Sequence, residues 1–385
     1  MPWYFKGMTI SRFGIGLMSG TSGDGIDGAL VDFADGKVRV VTTHFHPYPA
    51  KLREEVFLAS RTDGSAELIC RLNVEIGKLF GKAAAALCKK AKIPLTQVEF
   101  IGSHGQTIRH QPNGKNGISS TLQIGEAAEI AAITGCWVVS DFRPADIAAG
   151  GCGAPLAPLA HYVLFSDKNE ERVVHNMGGI SNITWLRAGV GIEGVTGFDT
   201  GPANMLLDMA ATHFSKGKRS YDKNGDIALK GAVDKKMYVH CMAHPFFKRK
   251  PPKSTGREIF GPAYFNGLLN IFGAVKEADF LRTLAAVAAS SAVNQVFAFC
   301  KPKRAVRWIV CGGGAFNHAL LDEIRARLAG RGFVTMSAEL GYGEKDIEAV
   351  LMAALAYRTL NGMHGNLPKV TGAKRTAILG KISIP

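Results

Sequence analysis

Two openings of the same kind, about 160 residues apart, constrain this chain more than any other feature. The first is an apolar strand, Phe13–Met18, that runs into the turn Ser19-Gly20-Thr21-Ser22-Gly23-Asp24-Gly25 and returns as a second strand, Ile26–Phe33. The second is the strand Val173-Val174-His175-Asn176, the turn Met177-Gly178-Gly179-Ile180-Ser181-Asn182 and the return Ile183–Leu186. Short apolar runs bounded by glycine and small polar residues read as strands joined by tight turns. Their recurrence predicts a duplicated α/β domain rather than one doubly wound sheet. With 385 residues the chain is long enough for two such domains.

The intervening segments fit that frame. Val38–Phe45 reads as a third strand, and Leu52–Ala59 and Ala66–Cys88 carry apolar residues at helical spacing. Val98–Gly102 is a strand expected to stop at Ser103-His104-Gly105. Gly125–Thr134 reads as a helix and Cys136–Ser140 as a strand ending at Asp141. In the second half come the helix Met205–Phe214, the strand Val306–Val310, three glycines at 312–314, and the helices Asn317–Leu328 and Asp346–Leu360. No low-complexity linker separates the halves. The expected domains are 1–140 with 363–385, and 141–362 inserted between them.

Composition narrows the function classes. Seven cysteines are scattered with no CxxC pair, which argues against a zinc ribbon or a disulfide framework and for a reducing cytoplasm. The formal net charge is +14. Its densest runs, Lys248-Arg249-Lys250 with Lys253 and Arg257, and Lys301-Lys303-Arg304-Arg307, lack the interleaved aromatics of a single-strand binding face. They read as solvated surface or as attraction for a small anion, and no nucleic-acid partner is expected. No secretory signal is read in the N-terminal residues, where Met8 is an alternative start. The longest apolar segment, Ala285–Cys300, is interrupted by Asn294 and Gln295 and reads as a buried helix too short to cross a bilayer, so no membrane partner is expected.

The chemistry lies in the turns. Glycines and hydroxyls in Ser19–Gly25 suit a nest of backbone N–H groups around phosphate oxygens. Asp24 and Asp27 repel phosphate and fit only if a divalent cation intervenes. The turn lacks the Gly-Lys-Ser/Thr of a P-loop, and an ordinary hairpin remains an equal reading. His104 and Gln106, in Ser103-His104-Gly105-Gln106-Thr107, stand where strand ends face ligands, or are simply satisfied within a loop. Arg143 offers a planar fork to a carboxylate or phosphate, or pairs with Asp141; Asp146 and a glycine run follow it. Asp199, in Gly197-Phe198-Asp199-Thr200-Gly201-Pro202, is placed at a strand-to-helix junction as a general base or as a turn aspartate. Cys311-Gly312-Gly313-Gly314 between strand and helix suits a nucleotide.

Taken together these stretches resemble the actin, sugar kinase and heat-shock ATPase superfamily, and more specifically the anhydro-N-acetylmuramic acid kinase family. The resemblance rests on Gly16-Leu17-Met18-Ser19-Gly20-Thr21-Ser22 with Asp24-Gly25-Ile26-Asp27, Ser103–Thr107, Ser140–Arg143 with Asp146, and Gly153–Leu156. It continues through Asn176–Asn182, Phe198–Pro202, Ser254-Thr255-Gly256-Arg257-Glu258, Cys311–Gly314, and Asn366-Leu367-Pro368 with Val370–Ala373. It implies a two-domain actin-like, ribonuclease H-like α/β fold with a nucleotide and sugar cleft between the domains. It implies ATP and Mg2+ as cofactors, a muramyl sugar as substrate, and a homodimer. By the same resemblance Gly20, Thr21, Ser22, Gly23, Asp24, Gly25, Ile26 and Asp27, with Gly178, Gly179 and Gly312–Gly314, bind the nucleotide. His104, Gln106, Arg143 and Asp146 bind the sugar, Arg143 at its lactyl carboxylate. Asp199 is the base, and the metal ligands are left unassigned. Gly23, Cys152, Ala203 and Phe316 depart from the family's usual residues. A hexose kinase, or a non-enzymatic filament or repressor of the superfamily, stays open as an alternative.

Overall fold

In the computed structural model, residues 13–20, 22–34, 38–61, 63–112, 114, 117–343 and 346–385 are described. Their strands are β1 (Phe13–Ser19), β2 (Gly25–Asp32), β3 (Arg39–Pro47), β4 (Val98–Gln111), β5 (Ser120–Ile124), β6 (Trp137–Ser140), β7 (Glu171–Met177), β8 (Ile180–Leu186), β9 (Thr196–Pro202), β10 (Val306–Cys311), β11 (Gly332–Met336) and β12 (Lys381–Ser383). The chain divides into two units, one running to Leu164 and resuming at Asp346, the other from Phe165 to 345.

In the first unit the sheet order is β12-β6-β4-β1-β2-β3, with β5 paired to β4. β1 runs antiparallel to β2 and parallel to β4, β4 is parallel to β6, and β2 is antiparallel to β3. In the second unit the order is β11-β10-β7-β8-β9, with β7 antiparallel to β8, β8 to β9, and β10 parallel to both β7 and β11. The five strands β3-β2-β1-β4-β6 and β9-β8-β7-β10-β11 therefore repeat one order with one set of directions. This is the duplicated α/β architecture expected from the two openings. Burial follows position: β1, central and covered on both faces, is apolar nearly throughout, whereas edge strand β3 alternates and stays partly exposed.

Helices cover the sheets for local reasons. Ser65 caps the helix Ala66–Ala91, its hydroxyl accepting from Leu68 N–H at 3.1 Å. The helix then buries Leu72, Ile76, Phe80, Ala84 and Leu87 against Ile15, Leu17, Leu30 and Ile101. The helix Ile347–Leu360 lies so close to β1 and β4 that a Cβ on Gly16 would sit 1.8 Å from the Ala349 carbonyl oxygen, and one on Gly102 2.0 Å from that of Met352. That contact moves the expected boundaries. Residues 346–362 belong with the first unit because this helix covers its central strands, and 141–164 join the same unit.

Two further expectations change. The strand β4 does not stop at Ser103 but runs on to Gln111, because Ser120–Ile124 pairs with its second half. The apolar segment near 285 belongs to a helix that spans Glu277–Cys300, long and apolar enough by length and composition to cross a bilayer. It is nevertheless a core helix, with 78% of its apolar window buried, packing Phe280, Leu284 and Val293 around Trp308 and Phe246.

Candidate functional site

In the first unit, the turn after β1 is closed by Gly23 N–H donating to Gly20 O at 3.2 Å. Ser22 Oγ donates to Asp24 Oδ1 at 2.6 Å, at the exposed tip. Thr21 lies outside the described residues. Ile26 is fully buried beneath the turn and anchors it. Asp27, half-buried, stands opposite Phe45 in the β2–β3 ladder. Gln106 braces the turn from the neighbouring strand: its Oε1 accepts from Ser19 Oγ at 2.7 Å, and its Nε2 donates to Gly20 O at 3.1 Å. It is 1% exposed, and both ends of its amide are engaged in shaping the turn.

His104 and Arg143 form a second cluster. Arg143 donates through Nε at 3.0 Å and Nη2 at 2.9 Å to His104 Nε2, and through Nη1 to Gly153 O at 2.8 Å. His104 Nδ1–H donates to Gly105 O at 3.0 Å. Burial first, and the Arg143 charge second, push the His104 imidazole down to about 3, so it is a neutral acceptor. The pairing of Arg143 with Asp141 is not formed; Asp141 binds Lys381 Nζ at 2.8 Å. Burial lowers the Arg143 pKa, and Glu348, itself pushed up by burial, is the carboxylate that faces it. Asp146 has no exposed surface and accepts from Gly153 N–H, Asn366 Nδ2 and Thr371 Oγ1, each at 2.8 Å. Through Gly153, which also accepts from Arg143, it fixes the loop that holds Arg143.

In the second unit, Asp199 lies within β9 rather than at a strand-to-helix junction, opposite Asn182 of β8. The segment from Lys253 to Thr255 wraps it: Asp199 N–H donates to Lys253 O at 3.2 Å, and Thr255 N–H donates to Asp199 Oδ2 at 2.9 Å. Burial, reinforced by Glu258 and opposed by the Thr255 N–H and Lys253, pushes the Asp199 carboxyl up to about 6. Lys253 Nζ sits 4.3 Å from the Phe246 ring centroid, 5.5 Å from Phe299 and 5.9 Å from Phe198, and donates to Phe246 O at 3.1 Å. Among the described residues it has no salt-bridge partner. A carboxylate that is mostly buried, ionised at neutral pH and held by one N–H can accept a proton from a hydroxyl or a water.

Below Asp199 runs a directed chain of hydrogen bonds. Trp308 Nε1–H donates to His175 Nδ1 at 3.1 Å, leaving the proton on Nε2, which donates to Ser181 Oγ at 2.6 Å. Ser181 meets Thr200 Oγ1 at 2.5 Å, and Gln295 Nε2 donates to Thr200 O at 2.7 Å. These residues lock β7, β8, β9 and β10 in register beside the base.

The glycine turns of this unit come together. The carbonyls of Gly178 and Gly179 accept from the N–H groups of Asn204 and Ala203, at the start of the helix Asn204–Phe214. Asn204 Nδ2 donates to Met177 O at 3.0 Å. Gly312, at φ +77°, lies where a Cβ would be 2.4 Å from Asn176 Oδ1. Beside Gly313 opens a cavity of about 580 Å³ lined by Asn204, Asp208, Tyr221, Lys223, Phe316 and Asn317, among others. Its volume is in the range of small-ligand sites. Among the described residues no cluster of three or more His, Cys, Asp or Glu forms a metal cage.

The motif Ser254–Glu258 was visible in the sequence but had no role there, Lys253 and Gln295 were visible only as a basic residue and as a polar break in an apolar run, and Glu348 and Tyr221 gave no signal. Several act on a residue distant in the chain, Thr255 being 56 positions from Asp199 and Gln295 95 from Thr200.

Comparison with known proteins bears on this geometry. The family description "Anhydro-N-acetylmuramic acid kinase" matches residues 12–385. A protein of that name from Caldanaerobacter subterraneus subsp. tengcongensis is 41% identical over 385 residues, covering 97% of each chain. Another from Shewanella halifaxensis is 42% identical over 367 residues, covering 95% of this chain and 97% of the relative. A third, from Bacillus cereus, is 40% identical and covers 96% of both.

Proposed function

The chain belongs to the anhydro-N-acetylmuramic acid kinase family, and from that we propose a mechanism in which Asp199 is the base of the reaction. The enzyme is an ATP-dependent kinase of 1,6-anhydro-N-acetylmuramic acid. In this substrate O6 is tied to C1, so no free 6-hydroxyl exists to phosphorylate. Asp199 takes a proton from a water as that water's oxygen bonds to C1. The C1–O6 bond breaks, and O6 bonds to the γ-phosphorus as the bond from phosphorus to the ADP oxygen breaks. The products are N-acetylmuramic acid 6-phosphate and ADP, and the proton on Asp199 returns to solvent. A glycosidase needs a second carboxyl group to protonate the leaving oxygen. Here capture of O6 by phosphorus does that work, so a single base suffices.

The observation that carries this reading is the setting of Asp199: a largely buried carboxylate, raised to about 6 yet ionised at neutral pH, its Oδ2 fixed by one backbone N–H. The turn Gly20–Asp27 takes the ATP phosphates, and Gly178–Gly179 and Gly312–Gly314 with the adjoining cavity take the rest of the nucleotide. Arg143, with three of its N–H groups engaged by His104 and Gly153, keeps donors for the sugar's lactyl carboxylate. Asp24, exposed at the turn and without a cationic partner among the described residues, is suited to hold Mg2+; one carboxylate suffices because this ion keeps several waters and binds phosphate oxygens. When bound, the metal neutralises charge on the phosphates. The same reading places the enzyme in the cytoplasm as a homodimer, the latter checked by sedimentation.

Incubation with ATP, Mg2+ and the anhydro sugar, followed by mass analysis, tests the reaction. The product is expected to carry the mass of the sugar plus HPO3 plus H2O. A product heavier by HPO3 alone contradicts ring opening. An Arg143→Ala enzyme with an unchanged KM for the sugar removes Arg143 from the carboxylate site.

A further inference from the structure

At the end of the second sheet remote from the glycine turns lies a cavity of about 480 Å³ that the reaction does not use. Glu171, the first residue of β7, Trp185 and Arg187 at the end of β8, and Lys303 and Arg304 just before β10 line it, with Lys168 and Lys301. The glycine turns follow the opposite ends of β7 and β10, about 20 Å away at the usual rise per residue. Five cationic side chains thus face one carboxylate, and that carboxylate, Glu171, is buried and accepts from Lys303 N–H at 3.1 Å.

None of the five cations forms a salt bridge among the described residues. Neighbouring arginines behave differently. Arg172 pairs with Asp167 and Glu170 at 2.9 Å, and Arg307 pairs with Glu170 at 2.7 Å. Asp167 and Glu170 are therefore spent on Arg172 and Arg307, while the cavity's own cations have no carboxylate partner, Arg304 donating only to Asn169 O at 3.2 Å. The indole Nε1–H of Trp185 is also buried and finds no acceptor, and the Arg187 guanidinium stacks 5.7 Å over its ring. Exposed cations gathered in one concavity without a carboxylate partner suit a ligand rich in negatively charged acceptor oxygens.

We propose that this cavity is a binding site for a small phosphorylated molecule carrying two or more negative charges, separate from the site of phosphoryl transfer. Arg187 and Arg304 grip its oxygens, Lys168, Lys301 and Lys303 add charge, and Trp185 forms part of the wall.

The test is titration calorimetry on the full chain with its nucleotide site saturated by a non-hydrolysable ATP analogue. Inorganic pyrophosphate and a hexose 6-phosphate are the two probes, and they separate a diphosphate ligand from a sugar phosphate. At least one is expected to bind with a stoichiometry of one per chain. Affinity is expected to fall tenfold or more in Arg187→Gln/Arg304→Gln and again in Lys301→Gln, while kinase turnover without the probe stays within twofold of wild type. A probe-induced change in indole fluorescence is expected to vanish in Trp185→Phe. Failure of both probes to bind, or binding of equal strength in the charge variants, overturns the proposal.

Discussion

At the scale of single residues, the account turns on how Asp199 is kept basic yet ionised. Burial and Glu258 raise its pKa to about 6; the Thr255 N–H and Lys253 pull it down. Lys253 and Glu258 are the charged groups that face it, whereas β8 places Asn182 opposite and the core helix supplies Gln295 to the neighbouring Thr200, neither of which titrates. Below pH 6 the base is protonated, so kcat/KM is expected to fall on an acid limb centred near pH 6. Lys253→Met removes a stabilising cation and is expected to move that limb up by roughly half a unit; Glu258→Gln removes a repelling anion and is expected to move it down by a similar amount. Shifts in the same direction in both variants contradict this assignment. Asp199 was legible in the sequence as a carboxylate expected at a strand-to-helix junction, although it lies within β9. Lys253 was visible only as one of several basic residues, because nothing local marks a lysine held by three rings from other parts of the chain.

Among the elements, the closest packing is that of the helix Ile347–Leu360 on β1 and β4. Gly102→Ala puts a methyl group into the Met352 carbonyl and is expected to destabilise the fold by about 3 kcal/mol or more, seen in chemical denaturation. Asp146→Ala strands three donors, on Gly153, Asn366 and Thr371, and is expected to cost about 2–4 kcal/mol, with Thr371→Val costing less. A stability unchanged in Asp146→Ala, with only the KM for the sugar raised, assigns Asp146 the substrate contact expected of it. Most strands and long helices could be read from apolar period and turn residues alone. The extension of β4 could not, since Ser-Thr-Leu-Gln-Ile gives little strand signal before its partner is known. Nor could Asp146 be told from a surface aspartate, because its partners Asn366 and Thr371 lie 220 and 225 residues on.

For the whole molecule, three buried histidines set the acid limit. His104, His161 and His175 are pushed down to about 3, chiefly by burial, against 6.5 when free. Their stabilising effect is complete above pH 6.5 and is lost as pH falls towards 3, because the unfolded chain then binds protons that the fold refuses. Replacing one of them, as in His161→Gln, is expected to shrink the loss of stability between pH 7 and pH 5 by about 2 kcal/mol. The duplicated architecture was legible because both openings repeat one pattern, whereas the unit boundaries were not, since they depend on which sheet the helix Ile347–Leu360 covers. The central claim is chemical: Asp199 directs a water to C1 while O6 receives phosphate. Turnover in 18O-enriched water tests it most directly. The account predicts one 18O at C1 of the sugar phosphate, none in the bond between O6 and phosphorus, and a loss of turnover of about a hundredfold or more in Asp199→Asn. A phosphorylated product free of solvent oxygen at C1, or an Asp199→Asn enzyme that turns over normally, contradicts it.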